Sequence, residues 1–177
     1  NSFYGIIDPQ KSFPKITARS YLVGDLETGK IIFEKKSDVA RPIASLTKLI
    51  TSIVVSEKMD LNAKARVSLR AQATNGNSGN LKIGEELSIG DLLYPLLLES
   101  SNDAAEVIAE KYGRTSFLNE MNRTAEKIGM KDSYFVDPSG LNSLNISTAN
   151  DLFEEFRYLY KNHEEILNIT KKINYQI

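Results

Sequence analysis

The spacing of hydrophobic positions changes along this chain, and the changes mark its elements. Arg19–Asp25 and Lys30–Lys35 are short runs rich in β-branched and aromatic side chains, separated by Glu27-Thr28-Gly29. Two such runs around a glycine-bearing turn predict a β-hairpin. From Ser45 the period lengthens to that of a helix, with Leu46, Leu49, Ile50, Ile53 and Val54 at i, i+3, i+4, i+7 and i+8. Val55 carries the apolar surface almost all round, which predicts a central helix. Ser45, Lys48 and Ser52 fall nearly along one line of it.

The same period recurs further on. Ser88 is placed to cap a helix through Ile89, Leu92, Leu93 and Leu96. Glu99-Ser100-Ser101-Asn102 interrupts it before a second run, Ala104–Tyr112. Another helix is expected over Ser116–Ile128, anchored by Phe117, Met121 and Ile128, and Ser147-Thr148-Ala149-Asn150 opens one through Leu152, Phe153, Phe156, Leu159 and Tyr160. Residues 70–80 are small and polar and read as a loop; residues 129–144, with Pro138 and Gly140, read as a structured loop. Residues 1–16, carrying Pro9 and Pro14 without periodicity, read as an arm laid over a domain of residues 17–177. No repeat or linker divides that domain. The expected order is therefore arm, hairpin, then helices. A two-stranded hairpin is marginal alone, and this pattern offers it helices but no third strand.

Candidate chemistry concentrates in Pro42-Ile43-Ala44-Ser45-Leu46-Thr47-Lys48. A serine and a lysine at i and i+3 share a helix face, so the ammonium can approach the hydroxyl. At the first turn of a buried helix, the positive end of the dipole and desolvation both favour neutral Lys48. A neutral amine beside a serine is a general base, with Ser45 as the nucleophile and its backbone N–H as an oxyanion donor. The plainer alternative is that Ser45 caps the helix and Lys48 runs out to solvent. Ser100-Ser101-Asn102, in a break between helices, can place a hydroxyl and an amide at the rim of a cleft; alone, it is a helix-cap pattern.

Taken together, Thr28-Gly29-Lys30, Arg41 through Lys48, Ser100-Ser101-Asn102-Asp103-Ala104-Ala105, Gly129-Met130-Lys131 and Phe135-Val136-Asp137-Pro138-Ser139-Gly140-Leu141 resemble successive landmarks of the low-molecular-weight penicillin-binding proteins. Within that group the chain resembles the serine D-alanyl-D-alanine carboxypeptidases of peptidase family S11. The resemblance implies an α+β, serine-β-lactamase-like transpeptidase fold with an N-terminal hairpin and a helical region. It also implies an exported enzyme of cell-wall maturation and cell shape, working outside the cytoplasm on peptidoglycan pentapeptides and acylated by β-lactams. Ser45 would attack the carbonyl between two D-alanines and Lys48 would take its proton. Ser100 would relay a proton toward the leaving amine, and Asn102 would hold Lys48 and the substrate's amide. No cofactor or metal is implied.

Departures from the family pattern sharpen the expectation. Ser139 replaces a frequent histidine at a position read as peripheral, and Ser101 stands where glycine is frequent. The family's third motif, a Lys-Thr-Gly or Lys-Ser-Gly on a strand beyond the Pro138 loop, is absent; Lys82-Ile83-Gly84 and Lys127-Ile128-Gly129 precede that loop. That strand would contribute a cation for the substrate carboxylate and a second oxyanion donor, whose loss alone costs a factor of about 10²–10³. The expectation is an N-terminal part of a carboxypeptidase domain, impaired alone, its remaining sheet strands lost by truncation or cleavage or supplied by a second chain, with any membrane association made through a region outside these residues. A class A β-lactamase is the alternative hydrolase, opposed by Ser101 where Asp is expected. A non-catalytic wall-binding module on the same scaffold is the alternative from another class.

Composition narrows the field around this reading. With 22 basic and 23 acidic residues in 177, the chain has no positive excess for a phosphate backbone, and nucleic acid is not an expected partner. The absence of cysteine excludes thiol catalysis, disulfides and cysteine-ligated metals. The single histidine, His163, is read as a solvated surface residue. Asn122, Asn145 and Asn168 open sequons that are incidental in a bacterial protein. Phe153, Phe156, Tyr158 and Tyr160 read as core and helix contacts.

Overall fold

The computed structural model describes residues 16–76, 79–173 and 175. All but the last residue of the expected N-terminal arm therefore lies outside the described residues. Strands β1 (Tyr21–Gly24) and β2 (Ile31–Lys35) pair antiparallel, with Tyr21 opposite Lys35 and Val23 opposite Phe33. The turn between them is held by Asp25, whose Oδ1 accepts from Thr28 N at 2.9 Å and whose carbonyl accepts from Gly29 N at 2.8 Å. This Asx-type bonding is why Asp and Gly suit the turn. As the pattern anticipated, the hairpin has no third strand among the described residues, and Val23, Ile31, Ile32 and Phe33 remain exposed.

A two-residue strand β3 (Arg41–Pro42) leads through a 3₁₀ turn at Ala44–Leu46 into helix α1 (Thr47–Lys58). Ile50, Ile53, Val54 and Val55 are completely buried, as the all-round apolar pattern requires. Around α1 pack α3 (Ile89–Leu98), α4 (Asn102–Tyr112), α5 (Arg114–Ile128) and α6 (Ala149–Asn162), while α7 (Glu164–Thr170) lies on α3 and α6. Strands β4 (Lys64–Arg66) and β5 (Glu86–Ser88) form a ladder between α1 and α3, with the short helix α2 (Leu69–Gln72) between them in sequence. Strand β6 (Ile146–Ser147) pairs with β3, Arg41 opposite Ser147. That pairing fixes the start of α1 beside the start of α6, and it positions the site.

Hydroxyl side chains cap the starts of α3, α4 and α6, the first at the predicted Ser88. Ser88 Oγ accepts from Asp91 N at 2.9 Å, Ser101 Oγ from Ala104 N at 3.1 Å, and Thr148 Oγ1 from Asp151 N at 3.0 Å. Each satisfies a donor that a helix N-terminus otherwise leaves open. Three elements differ from the pattern. The polar stretch from residue 70 begins inside α2; the β3–β6 and β4–β5 ladders were not anticipated; and the chain forms a further helix, α7, after α6.

His163 is also corrected: it is buried at the α6–α7 junction rather than solvated. Its Nδ1 lies 2.9 Å from Glu165 Oε1 and its Nε2 3.5 Å from Glu57 Oε1. Lys127 and Tyr158 meet the same Glu57 carboxylate, so one charged cluster ties α1, α5, α6 and α7 together. Of the aromatic residues on α6, Phe153 is buried, whereas Phe156 and Tyr160 are exposed and are not the core contacts expected of them. Asn122 and Asn145 are likewise structural: Asn122 Nδ2 donates to Phe135 O at 2.8 Å, and Asn145 is fully buried.

Candidate active site

Ser45 sits in the 3₁₀ turn ahead of α1, and Lys48 in the first turn of α1. No side chain caps either element, so Ser45 does not act as the cap. Lys48 is 2% exposed, which excludes the alternative in which its ammonium runs to solvent. Its Nζ donates to Ser45 Oγ at 3.2 Å, to Asn102 Oδ1 at 2.8 Å and to the Ser139 carbonyl at 2.8 Å. Those acceptors come from three separate stretches of chain. Burial lowers the Lys48 pKa from 10.5 to about 8, with the negative charge of Asp137 acting in the opposite direction. Ser52, on the same line of α1, turns its hydroxyl back to Leu49 O at 2.7 Å and takes no part.

Asn102 is the first residue of α4. Its carbonyl oxygen holds Lys48 while its Nδ2 donates to Asn75 O at 2.8 Å, so the amide joins Lys48 to the loop after α2. Gly76 permits this approach: a Cβ there would lie 2.6 Å from Asn102 Nδ2. Asn75 and Gly76, in the stretch that composition marked only as polar, thus lie against Asn102.

Ser100 reaches the site by a different route. The carbonyl of Pro95 accepts from Glu99 N at 3.2 Å and from Ser101 N at 2.9 Å, ending α3. Ser100 between them takes φ 57°, the left-handed region where glycine is usual. Such a residue costs about 1–3 kcal/mol and persists where the surroundings impose it, often at functional sites. Ser100 is exposed and lines a cleft of about 330 Å³ together with Ser45, Lys48, Leu97, Phe156 and Leu167. Among the described residues it is not a hydrogen-bond partner of Lys48, so the structure joins Ser45 and Asn102 through Lys48 and sets Ser100 on the same cleft.

The loop after α5 completes the arrangement. Ser139, read as peripheral, is central, because its carbonyl holds Lys48. The Asp137 carboxylate accepts from Ser139 N at 2.8 Å, Ser139 Oγ at 2.9 Å, Gly140 N at 2.7 Å and Asn142 N at 2.7 Å. Burial works against its charge, but these donors outweigh burial and hold the carboxyl below its usual pKa. Asn145 fastens the loop to α1: Oδ1 accepts from Val136 N at 2.8 Å, while Nδ2 donates to Asp137 O at 2.9 Å and Thr47 Oγ1 at 3.1 Å. Thr51 Oγ1 adds a bond to Pro138 O at 2.7 Å. Sequence reasoning missed Asn145 and the Ser139 carbonyl. A backbone contact leaves no residue-type signature, and Asn145 stood out only as part of a sequon read as incidental.

The fold is that of the penicillin-binding-protein-like DD-peptidases, which the solved neighbours share. The chain belongs to the D-alanyl-D-alanine carboxypeptidase family, peptidase S11, whose family model matches residues 8–177. It is 37% identical to the D-alanyl-D-alanine endopeptidase of Escherichia coli over 145 residues, covering 80% of this chain and 47% of that one. It is 30% identical to D-alanyl-D-alanine carboxypeptidase DacF of Bacillus subtilis over 161 residues, covering 86% and 41%. The D-alanyl-D-alanine carboxypeptidase structure from Mycobacterium tuberculosis superposes with a TM-score of 0.87 at 29% identity, covering 93% of this chain and 64% of that one. Penicillin-binding protein D2 of Listeria monocytogenes, in its ampicillin-bound form, gives 0.81 at 30% identity, covering 92% and 69%. The chain spans about half the length of the curated relatives it matches. These names favour neither the β-lactamase nor the non-catalytic alternative. Among the described residues, no helix is long and apolar enough to cross a membrane.

Proposed function

We propose that this chain carries the nucleophile and general base of a serine-type D-Ala-D-Ala carboxypeptidase that cleaves peptidoglycan stem peptides through an acyl-enzyme. The observation that carries the proposal is the buried Lys48 Nζ, 3.2 Å from the exposed Ser45 hydroxyl. As an ammonium, Lys48 fills its three acceptors with three N–H donors. Once it is neutral, its lone pair faces Ser45, the longest of the contacts, and the O–H can donate to it. A base titrating at about 8 is deprotonated often enough near neutral pH to act.

Ser45 Oγ then attacks the carbonyl of the penultimate D-alanine while Lys48 takes its proton. The Ser45 N–H faces the developing oxyanion. Ser100 passes a proton to the departing amine, D-alanine leaves, and water hydrolyses the ester at Ser45. Asn102 holds Lys48 and borders the substrate's amide. A β-lactam would acylate Ser45 by the same attack, opening its ring.

Residues 17–177 would form the N-terminal part of the domain. Further strands bearing a Lys-Thr-Gly or Lys-Ser-Gly sequence would cover the hairpin and supply the carboxylate-binding cation and the second oxyanion donor. The exposed apolar residues of β1 and β2 support this, as does the half-length match to relatives. The enzyme would work on the periplasmic or cell-wall face. A second reading, endopeptidase action on cross-linked peptides, is favoured by the higher identity to the relative named for that activity, 37% against 30%. Incubation of the full-length protein with a pentapeptide and with a cross-linked dimer separates the two. Release of free D-alanine from the pentapeptide supports the carboxypeptidase, and cleavage of the dimer alone supports the endopeptidase. Release of neither overturns both.

A further inference from the structure

We propose that Asp137 is a positioning residue for the general base: its buried carboxylate shapes the loop that presents the Ser139 carbonyl to Lys48 and places a negative charge behind that contact. The inference deepens the proposed function and rests on Lys48 being the base of that reaction.

The geometry runs through one residue. Lys48 Nζ donates to Ser139 O at 2.8 Å, and the N–H and hydroxyl of the same Ser139 both donate to Asp137 Oδ1, at 2.8 and 2.9 Å. Gly140 N and Asn142 N close on the same carboxylate. Backbone donors converging on one anion form a nest, a device that fixes both the anion and the carbonyls of the loop that makes it. Because the carboxylate is only 7% exposed, solvent screens it weakly. Burial alone would push Lys48 further down, and the Asp137 charge offsets part of that push.

Other charges around the loop do not replace it. Arg114 of α5 interacts with Asp137 but is paired to Glu106 of α4 at 2.9 Å. Asp103, beside Asn102 in α4, is buried with its pKa raised by burial, so it holds its charge less readily than Asp137. On α6, Asp151 is occupied by Asp132 N and Ser133 Oγ, and burial keeps Glu155 well above the usual carboxyl range. Asn145 and the bond from Thr51 to Pro138 O also fasten the loop. Asp137→Asn, which keeps an acceptor oxygen for the loop's donors, therefore removes the charge with the loop still anchored.

The test is the titration of Lys48 in the full-length protein, followed by NMR of ¹³Cε-labelled lysine and assigned by the signal lost in Lys48→Arg. In Asp137→Asn the Lys48 inflection is expected to fall by about one pH unit. Ser139→Ala, which keeps the charge and the backbone, is expected to leave it unmoved. Asp137→Ser, whose hydroxyl can cap the same turn, replaces Asp137→Asn if that variant does not fold. The pH profile of acylation by a labelled penicillin provides the second readout. The acid limb of Asp137→Asn should move down with the NMR inflection while its alkaline plateau drops, because a weaker base is a poorer catalyst. A merely structural role would lower the whole profile without moving the limb. An unmoved inflection in both neutral variants, or an equal movement in Ser139→Ala, overturns the inference. Wild-type labelling that is absent, or that survives Ser45→Ala, overturns the proposed reaction instead; the NMR titration is read independently of it.

Discussion

Gly140→Ala perturbs the site at one point of backbone contact. Gly140 has φ 89°, and a Cβ built on it would lie 1.9 Å from Ala44 O, 2.3 Å from Ala44 C and 3.0 Å from Ser45 N. The obstacle is backbone, so no rotamer relieves it. Raising the 1.9 Å contact to 3.0 Å, below which real Cβ contacts essentially never fall, requires the loop or the Ser45 turn to retreat by roughly 1 Å. Both carry catalytic contacts: the Ser139 carbonyl on one side, the Ser45 hydroxyl and N–H on the other. A misplacement of about 1 Å can cost 10²-fold in rate. Overpacking adds about 1–3 kcal/mol of destabilisation and the left-handed backbone about 1–2 kcal/mol more. Against a typical total of about 5–15 kcal/mol, a combined loss of about 2–5 kcal/mol leaves the variant folded over most of that range, and the thermal melt checks it. Stopped-time labelling of the full-length protein with fluorescent penicillin, beside a thermal melt, is expected to show acylation slowed by about 10²-fold in a protein that still melts cooperatively. Gly129→Ala is the control: its φ is 96° but nothing lies within 4 Å of the added Cβ. It should lose stability and keep its acylation rate. Labelling of Gly140→Ala within about twofold of wild type would refute the reasoning.

Glu155 on α6 is buried, both its carboxylate oxygens lack a partner among the described residues, and burial raises its pKa well above 4.5. Replacing it by methionine should stabilise the protein by about 1–3 kcal/mol at pH 7, and by less at pH 4.5, because the native carboxyl resists an ionisation that the unfolded chain undergoes above that pH. A lower melting temperature for Glu155→Met at pH 7 would contradict this. Lys48 imposes the opposite slope at alkaline pH. Its folded pKa of about 8 lies below the unfolded 10.5, so between them the unfolded chain binds more protons and stability rises with pH. Urea titrations should show a gain of about 1–2 kcal/mol from pH 8 to 9.5, missing in Lys48→Met; an equal gain in that variant would disprove the assignment.

What could be read from the sequence was what is local. The hairpin, the buried α1 and the cap at Ser88 each depend on residues a few positions apart, and each stands where the pattern put it. The β3–β6 ladder escaped because two-residue strands show no period and Arg41 meets Ser147 across more than half the chain. His163 was misjudged for a related reason. Its acidic neighbours suggested solvent, but the break between α6 and α7 folds it onto Glu57 of α1. At the site, the Ser-x-x-Lys and Ser-x-Asn elements were legible as side-chain chemistry. The support behind them, Asp137, Ser139 O, Asn145 and the close approaches at Gly76 and Gly140, is backbone geometry assembled from distant segments, and composition does not encode it.

The central claim is that Ser45 is a nucleophile activated by Lys48. Peptide mapping by mass spectrometry of the full-length protein after incubation with penicillin tests it most directly. A single penicilloyl adduct on the peptide containing Ser45, absent from Ser45→Ala and strongly slowed in Lys48→Met, is the predicted result. An adduct on another residue, or one that persists in Ser45→Ala, would contradict it.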